Sequence, residues 1–207
     1  YKKDSRSLDD NAHLKELVNK VMIRNRRADT GIEWTKRHVE TIPIEFSAEE
    51  RELYESVTAL RGEGEWVNSS QFSVMTLQRE ACSSREAVFY TLRNMVTRQE
   101  APSDMFQEQI QFLVSKVEKV QRNSKAEKAL ELIKGIDDKV IIFTEYRATQ
   151  LYLQWFLKQH GISSVPFRGG FKRGKKDWMR ELFKNNVQVL IATEAGGEGI
   201  NLQFCNH

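Results

Sequence analysis

The chain has 207 residues, 40% hydrophobic and 29% charged, a balance that can bury a core and excludes compositional disorder. Its net charge of +3, from 32 Lys and Arg against 29 Asp and Glu, is too small to diagnose nucleic-acid binding by itself. No apolar run approaches the roughly 20 residues that a membrane-spanning helix needs, and the two cysteines, Cys82 and Cys205, form no CxxC pair.

A disulfide framework or thiolate metal site is therefore not expected, and a reducing, cytoplasmic setting fits the composition. The four histidines are scattered with no ligand spacing, so no metal site is assigned. The opening YKKDSRSLDD has neither Met nor an apolar signal region and reads as an internal segment of a longer protein.

In chain order, residues 8–22 carry Leu14, Leu17, Val18, Val21 and Met22 at helical spacing, which predicts an amphipathic helix. Arg24, Arg26 and Arg27 form a basic cluster behind it. Over residues 38–46, Ile42, Ile44 and Phe46 alternate with polar or small residues, a period of two that predicts a strand, with Pro43 favouring an edge. Ser47 and Glu50 then form a capping box opening a helix whose apolar face is Leu53, Val57 and Leu60. Residues 61–70 read as a loop.

Residues 71–122 stay helical in pattern, with a second capping box at Ser83 and Glu86 and a break at Pro102-Ser103-Asp104. Phe106, Ile110, Leu113, Val117 and Val120 repeat at four-three spacing, the seam of a helix packed on a bundle. At Ser124 the character changes. Ser124 and Glu127 make a third capping box, and Val140-Ile141-Ile142-Phe143 is a continuous apolar run of the kind found in strands covered on both faces. Ala148, Leu151, Tyr152, Trp155 and Phe156 form a helical stripe ended by Gly161. Strand, helix and strand follow at residues 163–167, 175–184 and 187–192. Strands alternating with helices predict a parallel sheet. The division is thus 1–46, an entering helix and strand; 47–123, a helical protrusion; and 124–207, an α/β section.

The last strand runs into Thr193-Glu194-Ala195-Gly196-Gly197-Glu198-Gly199-Ile200-Asn201. Glycines here let backbone N–H groups approach an anion at the carboxyl edge of the sheet. The plain alternative is a tight Gly-rich turn, for the loop matches neither GxGxxG nor GxxxxGK[ST]. A second basic cluster, Lys172, Arg173, Lys175 and Lys176, is in the bland reading a solvated surface.

Order and spacing carry more. VIIFTEY, FRGG and VLIATEAGGEGINLQF, in that order, resemble successive motifs of the second, RecA-like lobe of superfamily-two helicases. AGGEGINL is similar to the Swi/Snf-related branch of bacterial type, as are VMIRNRRADTGI and VETIPIEFSAEERELYESV upstream. The resemblance implies a partial RecA-like parallel sheet with flanking helices behind a mainly helical section. It implies that Thr144, Arg168, Gly169, Lys176 and Thr193 face a nucleic-acid backbone, expected to be double-stranded DNA. Lys176 stands where many members have arginine, keeping the charge without the bidentate fork. Gly197, Gly199 and Asn201 would face a nucleotide between two lobes, with Asn201 where many members have aspartate. Glu194 is read equally as coupling the two sites or as a solvated side chain.

The implied parent uses ATP and Mg2+ and pairs this segment with a first motor lobe. The sequence itself carries no GxxxxGK[ST] and no DExx motif after a strand. No catalytic residue is assigned within it, and neither ATP nor Mg2+ is expected on the segment alone. The alternative is a non-catalytic nucleic-acid- or protein-binding module that docks through its helical section. An unrelated Rossmann-like enzyme would put its glycine loop after the first strand, whereas here it follows the third.

Overall fold

The computed structural model describes residues 15–18, 22, 38–60, 70–98, 103–193 and 202–207. Two compact units divide it, Tyr1–Ile42 and Pro43–His207. In the first, residues 15–18 are helical and the Met22 N–H donates to Val18 O at 2.8 Å. The rest of the helix predicted over 8–22, the arginine cluster at 24–27 and most of VMIRNRRADTGI lie outside the described residues. So does most of the loop predicted at 61–70.

The strand predicted over 38–46 is not formed. Residues 38–47 run without ladder pairing, although Ile44 and Phe46 are half-buried and Pro43 and Glu45 exposed. The alternation is real, but the segment finds no partner strand among the described residues; Phe46 packs on Tyr54, ring centroids 6.0 Å apart.

Helix α1, Ala48–Ala59, opens with the predicted capping box: the Ser47 hydroxyl accepts from Glu50 N–H and Glu50 Oε2 from Ser47 N–H. Beyond it lie α2 (Ser70–Ala81), α3 (Arg85–Arg98) and α4 (Asp104–Lys119). The sequence pattern showed one break in this region; the structure has a second, at Cys82–Ser84. The cap there is Ser84, not Ser83, since Ser84 Oγ accepts from Ala87 N–H while the Ser83 hydroxyl turns to Thr149. Leu53, Val57, Leu77, Val88 and Leu92 join the α4 seam Phe106, Ile110, Leu113, Val117 and Val120 in one core. The seam is a bundle contact.

The next helix, α5, spans Ser124–Lys134, and its cap is Asn123 rather than Ser124. The Asn123 side-chain oxygen Oδ1 accepts from Ala126 N–H at 2.8 Å. Ser124 is thereby free to bond backwards: its N–H and hydroxyl donate to Glu50 Oε1 and Oε2. One buried carboxylate thus caps α1 and ties it to the start of α5.

The predicted β-α-β-α-β series follows: β1 Val140–Thr144, α6 Arg147–Gln159, β2 Ser164–Phe167, α7 Arg173–Asn185 and β3 Val189–Thr193. The three strands are parallel, in the order β1-β3-β2. Strand β3 is central, and the period of two assigns its faces. Val189 and Ile191 pack with Leu130, Ile133, Leu153 and Leu157 of α5 and α6. Leu190 and Ala192 pack with Met179 and Phe183 of α7 on the other side. Strand β1 is not covered on both faces as its sequence suggests: Phe143 is 62% exposed. Its uninterrupted apolar run resembles that of β3, but its position in the strand order sets its cover.

The stripe predicted on α6 also shifts. Thr149, Gln150, Leu153 and Leu157 are buried, whereas Leu151 and Trp155 are 52% and 57% exposed. The buried face begins with two polar residues, which disguises it in the sequence. Gly161 ends the helix as predicted, at φ 76°. A Cβ there meets nothing within 4 Å, so strain would come from the backbone alone. Gly161→Ala should therefore cost about 1 kcal/mol in urea unfolding. Gly174→Ala, in open space in α7 without positive φ, should stabilise by up to about 1 kcal/mol.

Candidate nucleic-acid interface

Parallel pairing brings the carboxyl ends of all three strands to one edge. Thr144 and Thr193 are register partners at the ends of β1 and β3, and Phe167 at the end of β2 pairs with Ala192. Arg168 therefore leaves the sheet one residue past that pair, level with Thr193. Gly170, at φ 78°, turns the chain from β2 toward α7, a conformation that favours glycine.

Past that turn the side chains form a basic group on an aromatic base. Phe167 and Phe171 meet edge to face at 6.5 Å. The Arg168 guanidinium lies 5.0 Å and Lys175 Nζ 4.4 Å from the Phe171 ring, and Lys176 Nζ lies 5.7 Å from the Phe167 ring. These separations are in the range of cation–π attraction, which holds the cations beside one another despite their repulsion. Among the described residues none of Arg168, Lys172, Arg173, Lys175 and Lys176 is held in an ion pair. Helix α7 begins here without a side-chain cap on Lys172 and without an acidic residue in its first turn. The N–H groups of its first turn and its dipole add to the positive field.

Of the predicted site residues, the structure brings Arg168, Gly169 and Lys176 into this group, with Thr193 alongside. Thr144 stands at the same edge but opens onto a cavity of about 620 Å3, lined also by Arg79, Ser83, Lys125, Glu145 and Tyr146. Arg79, on its lining, pairs with Glu145 at 2.7 Å. Cys82 also lines it, and burial pushes its thiol above the usual range, away from thiolate reactivity. Glu194, Gly197, Gly199 and Asn201 lie outside the described residues. On either side of these residues, Thr193 ends β3, and Leu202 and Phe204 pack on the α7 side of the sheet. Phe204 meets Phe183 at 5.6 Å.

The sequence pattern did not single out Gln150, 1% exposed, whose side-chain amide donates to Phe167 O at 3.0 Å and Ile191 O at 2.6 Å. Its signal was available: a polar residue three and seven positions before Leu153 and Leu157, on the face those leucines bury. Phe171, the aromatic base for two cations, was also missed.

Residues 124–207 match the helicase conserved C-terminal domain. The whole chain is 61% identical over 210 residues to a protein described as an uncharacterized ATP-dependent helicase, YqhH, of Bacillus subtilis (strain 168). The chain spans 37% of that relative's length. Among solved structures, the Hef helicase domain of Pyrococcus furiosus superposes with a TM-score of 0.58 at 14% identity, over 94% of this chain and 54% of that one. The C-terminal part of the Fun30 ATPase domain superposes with 0.54 at 14% identity, over 79% and 70%. The parallel sheet between helices is the RecA-like fold that these two solved domains share.

Proposed function

We propose that the chain, whose residues 124–207 match the helicase conserved C-terminal domain, is the second motor lobe of a Swi/Snf-like, ATP-driven translocase, and that the carboxyl edge of its sheet grips the backbone of double-stranded DNA. The observation that supports this most directly is the group of Arg168, Lys175 and Lys176 at the uncapped start of α7, level with Thr193. Cations, hydroxyls and helix N–H groups suit phosphates, and phosphate contacts carry no base sequence. A motor that steps needs that indifference.

In this reading Arg168 offers a bidentate fork to one phosphate, Thr193 and Thr144 donate hydroxyl hydrogen bonds to neighbours, and the Gly169-Gly170 turn lets the backbone come close. Lys176 adds charge. Gly197, Gly199 and Asn201 would face ATP held against the first motor lobe. The phosphate-binding lysine and the Mg2+ ligands are assigned to the first lobe. ATP, when bound, supplies the free energy that closes and opens the lobes; this chain contributes the grip and one wall of the cleft. The helical section before residue 124 is a protrusion on this lobe, and the two half-buried free thiols accord with a reducing cytoplasm.

In the intact protein, Arg168→Ala should weaken duplex DNA binding about tenfold near 0.1 M salt and lower the slope of log affinity against log salt by about 0.9, one phosphate's worth. Lys176→Ala should lower the slope similarly with a smaller loss. Unchanged slopes in both variants would sink the track; tighter binding to duplex RNA would change its substrate. A docking-module reading is favoured by a groove of about 540 Å3 between α1 and α4, lined by Leu60, Met105 and Phe112. ATP turnover by the intact protein separates the two.

A further inference from the structure

Gln150 sits in the first turn of α6, and both hydrogens of its amide are spent on main-chain oxygens of two different strands. Phe167 O is the last carbonyl of β2, immediately before Arg168. Ile191 O lies two residues before Thr193. The residue beside it, Thr149, is 4% exposed, and its hydroxyl lies 2.8 Å from both Ser83 Oγ and Ser84 Oγ at the α2–α3 junction. One helical turn therefore holds the ends of β2 and β3 with one residue and the helical section with the next.

A leucine or methionine would fill the same space on this face, so burial alone does not call for glutamine. Two donors aimed at two strands do, since no other neutral side chain of that length offers both. The carbonyls belong to ordinary ladder residues, and each has a second lone pair to give. The ladder already spaces the two strand ends; what the amide adds is a tie that fixes both against α6.

Resting on the reading of this edge as a phosphate track, we propose that Gln150 is a positioning residue: it fixes the ladder-paired ends of β2 and β3 against α6, so that Arg168 and Thr193 meet the backbone together, and links that edge, through Thr149, to the helical section. Without the amide the paired strand ends lose their tie to α6, and Arg168, just past the end of β2, loses its placement. Displacements of about 1 Å are enough to lose such a contact.

The test uses the intact protein and a short DNA duplex titrated between about 0.05 and 0.3 M salt. Gln150→Met should bind about tenfold more weakly near 0.1 M salt and show a slope smaller by about 0.9, one phosphate's worth. In an Arg168→Ala background the same substitution should have little further effect, because it acts through that contact. A stability loss with full affinity, or losses that simply add in the double variant, would reduce Gln150 to a strand staple and overturn the proposal. Should Gln150→Met fail to fold, Gln150→Glu keeps the shape. Its protonated carboxyl can donate one bond, so its affinity relative to wild type should recover as pH falls from 8 to 5. A flat ratio overturns the proposal equally. The failures are separable: wild-type protein that binds no duplex at low salt removes the track reading and this role with it. Wild-type binding that Gln150→Met leaves intact removes the positioning role alone.

Discussion

Glu80→Gln is expected to abolish most of the decline in stability between pH 5 and pH 8, and to leave the variant about 2–3 kcal/mol more stable than wild type above pH 8. Glu80 is 5% exposed at the end of α2. Burial raises its pKa to about 7, the nearby Glu145 carboxylate pushes the same way, and a hydrogen bond from the Thr91 hydroxyl at 2.7 Å opposes them in part. Its other oxygen, Oε2, has no hydrogen-bond partner. Arg79, next to it in sequence, spends its guanidinium on Glu145 instead. Tyr146 also faces the group, its own phenol raised by burial.

Proton counting gives the sign. Between the unfolded value of 4.5 and the folded value of about 7, the native state holds a proton that the unfolded state has lost. Stability is therefore full below about pH 4.5 and is lost as pH rises through 7. A tenfold difference in proton affinity between the folded and unfolded states is worth about 1.4 kcal/mol, so the whole effect is about 3.5 kcal/mol at most. Glutamine cannot ionise and still accepts from Thr91. Urea midpoints from pH 5 to 9 measure it, and parallel curves for the two proteins would refute the assignment.

The second large effect is at Glu50. It is 8% exposed, and its two oxygens accept from Ser47 N–H, Ser124 N–H and the Ser124 hydroxyl. Hydrogen bonds to a charged group contribute about 1.5–3 kcal/mol each when a partner is left buried, though they share one side chain and do not add fully. Glu50→Ala should therefore cost about 3 kcal/mol. Glu55→Ala, on an exposed side of the same helix, should stay within about 0.5 kcal/mol. Equal, small losses at both positions would show that the bond to Ser124 contributes nothing. Glu50 carries the larger effect because it serves two segments 74 residues apart.

The caps show how far a sequence reaches. Ser47 with Glu50 was legible because both partners lie within one turn. The Ser83 and Ser124 assignments each missed by one residue, since two adjacent side chains could cap. Glu50 draws the Ser124 hydroxyl, whereas Thr149 meets the hydroxyls of both Ser83 and Ser84, and Ser84 is the one that Ala87 N–H reaches. Ser84 and Asn123 were left to cap. The strand expected over 38–46 failed for a related reason: alternation requires a pleat but does not supply a neighbour.

At the candidate site, Arg168, Gly169, Lys176, Thr144 and Thr193 were marked by the order of motifs along the chain. Their gathering at one sheet edge followed from parallel pairing. Phe171 and Gln150 were not marked. An aromatic that supports cations looks like any core aromatic, and a glutamine that bridges two strands looks like a surface residue until the strands are in place.

By itself the sequence determined the helix that opens at Ser47, the α4 seam, the β-α-β-α-β order after residue 124 and the residues at the strand ends. Each depends on spacing and hydrogen bonds between near neighbours in the chain. The tertiary structure alone decided that β3 is central and β1 carries an exposed Phe143, that α6 buries Thr149 and Gln150 rather than Leu151 and Trp155, and that Glu50 and Glu80 are buried. Those outcomes depend on which surfaces meet, and burial and charge desolvation are set by partners far away in sequence.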